Sequence, residues 1–143
     1  MIGLSVGLIY LRLTNTPLII SPLIICSLSA LVPDIDEPKS KLGNKLKIIS
    51  YPIKIIFGHR TITHSLIGLI LISVVGYLFI PFYQFIILGY LSHLIADLLS
   101  DYGIPIFYPI SKERFFFQIF KTGGIRENIF FLTLLVINII IVF

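Results

Sequence analysis

Residues 89–103 read GYLSHLIADLLSDYG. An apolar run of helical length carries His93 and Asp97 in its interior, and their spacing of four puts both on one face of a helix. Neither side chain is expected to face hydrocarbon, because an ionisable group at membrane depth is costly unless it is paired, ligated or turned toward a polar cavity. The stretch therefore predicts a membrane helix with one chemically loaded face.

Outward from this stretch, four further apolar segments are legible at residues 1–11, 17–32, 65–80 and 128–143, beside the run at 85–99. Prolines punctuate them: Pro17, Pro33 with Pro38, and Pro81 remove helix-interior N–H donors and disfavour helix just before them. The reading is an all-α, polytopic helical membrane protein with four to five apolar segments, forming a single domain over residues 1–143. Sixteen helical residues reach only about 24 Å against a hydrocarbon core of about 30 Å. The first two segments therefore read either as a re-entrant hairpin or as helices that extend into neighbouring polar residues.

Composition supports the bilayer. Hydrophobic residues make up 57% of the 143 and charged residues 13%, with a mean hydropathy of +1.02; soluble domains carry about 25% charge. The single cysteine, Cys26, lies in an apolar run, which excludes an internal disulfide or a CxxC metal site. The start of the chain lacks the basic stretch of a secretory signal, so the first segments are expected to be retained. The run Phe115-Phe116-Phe117 between Arg114 and Lys121 reads as interfacial or as a plain loop.

Charge is sorted along the chain. Of eleven Lys/Arg residues, six (Lys39, Lys41, Lys45, Lys47, Lys54, Arg60) precede the third segment and four (Lys112, Arg114, Lys121, Arg126) precede the fifth, while the turn at residues 81–84 has none. The positive-inside rule then predicts a multi-pass protein of the bacterial cytoplasmic membrane with both basic loops in the cytoplasm. The net charge of +4 needs only anionic membrane lipids as partners, and no nucleic acid is expected.

All seven carboxylates and all three histidines fall in those two loops or the adjoining helix ends. In PDIDEPKS, from Pro33, Asp34 and Asp36 follow directly on an apolar segment. Two carboxylates this close repel unless a cation or a proton lies between them, although turn capping by Asp and Pro explains them too. In GHRTITHS, from Gly58, His59 and His64 flank the start of the third segment, with Thr63 or Ser65 free to cap the helix. His93 and Asp97 form a workable metal pair, a structural hydrogen bond, or an arrangement in which Asp97 orients His93 on a metal. Mixed imidazole and carboxylate donors suit Zn, Mn or Fe, with Zn or Mn favoured as the divalent cofactor. Glu127 opens the last segment, where a carboxylate is stabilised at a helix N-terminus. Arg60 and Arg126 flank candidate ligands and suit a phosphate or carboxylate group of a substrate, although orientation in the membrane explains them equally well.

Through PDIDEPKSKLG, GHRTITHSLI and GYLSHLIADLLSDYGIPIFYPI, and more weakly around Arg126-Glu127, the chain resembles the YdjM-type family of bacterial inner-membrane proteins, described as membrane-bound metal-dependent hydrolases. The resemblance covers residues 30–130 and implies a helical membrane domain with metal-dependent hydrolase activity. Its motifs map onto Asp34, Asp36, His59, His64, His93 and Asp97. Relatives carry a histidine near the start of the first helix, where this chain reads Met1-Ile2-Gly3; if that histidine binds metal, the site here would be one ligand short. Histidine also replaces Glu37 in the PDIDHP form of the first motif.

The expectation is a hydrolase in which a subset of the six residues holds one or two divalent ions that activate water, while Asp101 or Glu127 moves protons. A site at the cytoplasmic interface suits a lipid-like phosphodiester, ester or lipid-linked substrate. Two other classes compete: a transporter or ion pathway using His93 and Asp97, and a non-catalytic membrane protein whose metal locks helices together.

Overall fold

The computed structural model describes residues 1–143, and every regular element in it is helical. In chain order these are α1 (Ile2–Leu13), α2 (Ile20–Ser29), a 3-10 turn at Pro33–Asp36, α3 (Lys47–Phe57), a second 3-10 turn at Ile62–His64, α4 (Leu66–Phe79), α5 (Tyr83–Leu99) and α6 (Ile125–Val142). Each of the five apolar segments becomes one helix. By length and composition only α6 suffices to cross a bilayer unaided, while α1, α4 and α5 are apolar but shorter. The all-helical class therefore holds, whereas four to five crossings are more than these lengths establish.

The basic stretch before the third segment is more than a loop, because it contains α3. Its outer face exposes Ile48, Ile55 and Ile56 beside Lys47, the composition of a helix lying along a membrane interface. Gly58, at φ +83°, ends it in a left-handed backbone conformation that glycine adopts without a Cβ clash. Ser65 then caps α4, its hydroxyl accepting from the Gly68 amide at 3.4 Å.

Close packing centres on Cys26 in α2. A Cβ added at Gly3 of α1 would lie 2.6 Å from the Cys26 carbonyl oxygen, and one at Gly89 of α5 would lie 2.1 Å from it. Both helices therefore touch α2 backbone to backbone, as small residues permit where lipid gives no hydrophobic drive between helices. Around this contact Leu8, Leu11, Leu23, Cys26 and Phe85 form the main buried cluster. α4 packs on α5, and α6 lies along α1.

The outer faces are apolar and unpaired: Ile70, Leu71, Leu78 and Phe79 of α4, and Ile129, Leu132, Ile139 and Ile140 of α6, are all exposed. Soluble monomers rarely expose a continuous patch of this kind, whereas a bilayer covers it at no cost. The molecule is a membrane protein, and its helices bring the C-terminal ends of α2 and α5 together with the N-terminal ends of α1 and α6.

Candidate metal centre

The packing of α5 against α2 sets the site. Four residues beyond the Gly89–Cys26 contact, His93 Nδ1 donates to the Ala30 carbonyl at 2.8 Å, and four residues further come Asp97 on α5 and Asp34 on the turn after α2. Residues 89, 93 and 97 are one face of α5, so the glycine that admits α2 also aims the imidazole and the carboxylate at its C-terminal end. With Nδ1 committed to a carbonyl, His93 presents a bare Nε2.

His64 arrives from the other side on the second 3-10 turn and is fully buried. Its Nδ1 faces Asp36 Oδ2 at 3.4 Å and Thr63 Oγ1 at 3.0 Å, which leaves its Nε2 for the interior. There His64 Nε2 lies 3.3 Å from Asp97 Oδ2 and 3.8 Å from Asp34 Oδ1, while His93 Nε2 lies 3.4 Å and 3.6 Å from the same two oxygens. His64 Nε2, His93 Nε2 and Asp97 Oδ2 are buried with no hydrogen-bond partner. Ligand atoms about 2.0–2.1 Å from one ion at tetrahedral angles stand about 3.4 Å apart, close to these four imidazole–carboxylate separations. Asp34, His64 and His93 each bring a ligand atom within 4.8 Å of the other two and could hold a metal ion; Asp97 stands against both imidazoles as a further carboxylate, and mixed imidazole and carboxylate donors fit Zn or Mn.

The other candidates stand around these donors. Asp36 is wholly buried and faces His64, but its oxygens are occupied by protein donors: His59 Nδ1 at 2.8 Å, the Arg60 amide at 2.9 Å and the Thr63 hydroxyl. It orients His64 as carboxylates behind metal-bound imidazoles do. Burial alone would raise the Asp36 pKa, yet the hydrogen bonds from His59, His64 and Thr63 prevail and hold it well below the usual carboxylate range. His59 is part-exposed and bound to Asp36, with its ring 5.8 Å from that of His64. For His64 burial acts to lower the pKa, but the carboxylates of Asp34, Asp36 and Asp97 outweigh it and raise it to about 9. Without an ion, then, a proton on His64 supplies the positive charge that three carboxylates demand.

Arg60 donates from Nη2 to Asp97 Oδ1 at 3.4 Å, leaving Oδ2 as the oxygen that faces the histidines. A cavity of about 300 Å³ opens beside the donors, and its walls include Asp34, Arg60, His93, Asp97, Thr122 and Glu127. Glu127 accepts from the Gly123 amide in the first turn of α6. Asp101 does not line this cavity; it accepts from the Thr122 amide at 3.1 Å, and that bond holds its carboxyl below the usual range. Arg126 is exposed and borders a different, shallower cavity with Lys121 and Gln118.

Sequence reasoning passed over Thr63 as a partner of Asp36, the Ala30 carbonyl, and Tyr102, whose ring lies 5.2 Å from the Arg60 guanidinium. Only Thr63 carried a signal, since Thr63 and Ser65 competed for one helix cap and Ser65 alone was needed for it. The four donors gather with no contribution from α1.

Comparison with known proteins agrees with the motifs that carry this geometry. The model of the family described as YdjM inner membrane protein matches residues 1–142. The chain belongs to the YdjM family. Among YdjM relatives, the inner membrane protein YdjM of Escherichia coli (strain K12) and that of Shigella flexneri are each 47% identical over 90 aligned residues, covering 57% of this chain and 46% of the relative. The uncharacterized protein YvsG of Bacillus subtilis (strain 168) is 33% identical over 106 residues, 72% of this chain and 66% of its own. The chain thus spans less than half the length of the YdjM proteins it matches. No solved structure matches it significantly.

Proposed function

We propose that this chain is a metal-dependent hydrolase of the bacterial inner membrane, working at the cytoplasmic face on a lipid or lipid-linked ester or phosphoester. One observation carries the reading: Asp34 and Asp97 each bring an oxygen within 3.3–3.8 Å of both His64 Nε2 and His93 Nε2, and three of these four atoms are buried with no hydrogen-bond partner. Natural interiors pair such atoms, so a missing cation is the simplest account of all four together. The names of the YdjM relatives and the clustering of the basic residues support the location.

Asp34, His64, His93 and Asp97 hold the ion, with Zn or Mn best suited to the donors. A divalent ion in such a place supplies a Lewis acid that lowers the pKa of water and polarises a scissile carbonyl or phosphoryl group. Around it the chain's own residues divide the work. Thr63, whose hydroxyl donates to Asp36 and so accepts from His64, keeps the proton on His64 Nδ1 beside that carboxylate, and the Ala30 carbonyl does the same for His93, so both Nε2 atoms stay available. Glu127, on the wall of the same cavity, is placed to take or return a proton. The apolar surroundings of α1, α5 and α6 let a lipid tail remain in the bilayer while its head enters.

A second reading, a structural ion that locks helices, draws support from the donor count, since four protein ligands complete a tetrahedron. Against it, three of the four donor residues, Asp34, His93 and Asp97, border an open cavity. Metal content separates these readings from none: protein purified in detergent is expected to carry about one Zn or Mn, and His93→Ala or His64→Ala to lose it. Near-zero metal in the unaltered protein would sink both. A chelator that abolishes hydrolysis of a lipid ester or phosphoester panel while the helices stay folded supports the hydrolase; unfolding on chelation supports the structural ion.

A further inference from the structure

The wall of the cavity carries an arginine fixed to an unusual degree. The Arg60 amide donates to Asp36 Oδ2 at 2.9 Å, Nη2 donates to Asp97 Oδ1 at 3.4 Å, and the guanidinium lies over the Tyr102 ring at 5.2 Å. The backbone at Arg60 is left-handed, with φ +56°, a conformation that costs a non-glycine residue energy and is kept where surrounding contacts enforce it. Even so, its Nε is buried and has no partner. A guanidinium held by a carboxylate and an aromatic ring on a backbone fixed by Asp36, with donor capacity to spare beside a candidate metal centre, is preorganised for an anionic oxygen group.

Charge balance points the same way. Asp34, Asp36 and Asp97 contribute three negative charges, and a divalent ion together with Arg60 cancels them, so an incoming anion meets no net repulsion from this group. Glu127 also lines the cavity, so Arg60 is the permanently charged side chain there that can draw an anion toward the metal centre. A carboxylic ester or amide offers one neutral carbonyl oxygen and gives the guanidinium nothing charged to bind. A phosphate ester offers several charged oxygens at one centre, so Arg60 can donate to one while others remain.

We propose that the cavity binds the phosphate-ester class of ligand, with Arg60 donating to a non-bridging oxygen beside the Asp34–His64–His93–Asp97 centre. The inference rests on the metal-centre reading and selects a substrate class within it. The same chemistry belongs to a phospholipid headgroup and to a soluble phosphate monoester.

The test uses the full chain in detergent, loaded with manganous ion, with inorganic phosphate as the probe and its phosphorus NMR linewidth as the readout. The expected result is saturable broadening that Arg60→Gln weakens about tenfold or more and Arg60→Lys weakens less, with manganese content equal in all three proteins. Phosphatidic acid in mixed micelles and glycerol phosphate are then added as competitors. Displacement by the lipid alone identifies a headgroup site and displacement by the soluble ester a soluble ligand; displacement by neither overturns the inference. Manganese retained without broadening, or broadening that is the same in Arg60→Gln, also overturns it and leaves the metal centre standing. Failure to retain manganese overturns the metal-centre reading itself.

Discussion

Replacing Asp36 by Asn separates a residue that orients a ligand from the ligands themselves. The carboxylate is completely buried and serves four groups: His59 Nδ1 at 2.8 Å, the Arg60 amide at 2.9 Å, the Thr63 hydroxyl and His64 Nδ1 at 3.4 Å. Asn keeps one acceptor oxygen, turns an NH2 group toward the remaining donors and removes the charge. A buried hydrogen bond to a charged acceptor is worth about 1.5–3 kcal/mol, so the loss of two of them should lower folding stability by about 3–5 kcal/mol. The four proposed metal donors are untouched, and loosening the partner behind a metal-bound imidazole typically costs 10–100-fold in metal affinity. Competition against a chromophoric chelator should therefore show D36N binding Zn about 10–100-fold more weakly at unchanged stoichiometry, whereas H64A and H93A lose the site. Wild-type affinity in D36N, or a loss as complete as in H64A, would refute the division into donors and a supporting carboxylate.

Other expectations follow from the same geometry. In metal-free protein His64 titrates at about 9 instead of its ordinary 6.5, so its contribution to stability is full below about 6.5 and disappears as pH climbs through about 9. A melting temperature that does not fall over that range would contradict this, and zinc affinity should rise over it as the ion displaces the proton. Gly89→Ala puts a methyl 2.1 Å from the Cys26 carbonyl oxygen; it should cost about 1–3 kcal/mol and weaken metal binding by moving His93 from Ala30, measurable by thermal unfolding and metal content together. The Glu37–Lys54 pair, at 2.7 Å but with side chains 21% and 40% exposed, should contribute under about 1 kcal/mol and less in salt, as a double-mutant cycle would report. Asp101→Asn should leave metal content unchanged, since the carboxylate it alters bonds the Thr122 amide and does not itself line the cavity.

Much of the architecture was legible without coordinates because its signals are local. Apolar runs between prolines became helices, and the four-residue spacing of His93 and Asp97 put both on one face of α5. α3 was hidden because lysines and isoleucines alternate there irregularly around Pro52, so the stretch looked like a basic loop until its Ile48–Ile55–Ile56 face was seen. The six candidate ligands lie at one end of the helices, but which of them face one another was not readable. Asp34 and Asp36, two residues apart, look alike in sequence; in the 3-10 turn one faces the histidines from within the cavity, and the other turns inward to Thr63 and His59.

Sequence alone determined that this chain belongs in a membrane and that its ionisable residues collect at the ends of its helices, since hydropathy and charge act residue by residue wherever the chain goes. Which atoms share one point was decided by the approach of α5 to α2 at Gly89 and Cys26. That contact sets the register of the two helices and hence whether imidazoles and carboxylates from distant segments stand one ion's width apart, and no local pattern encodes such a distance.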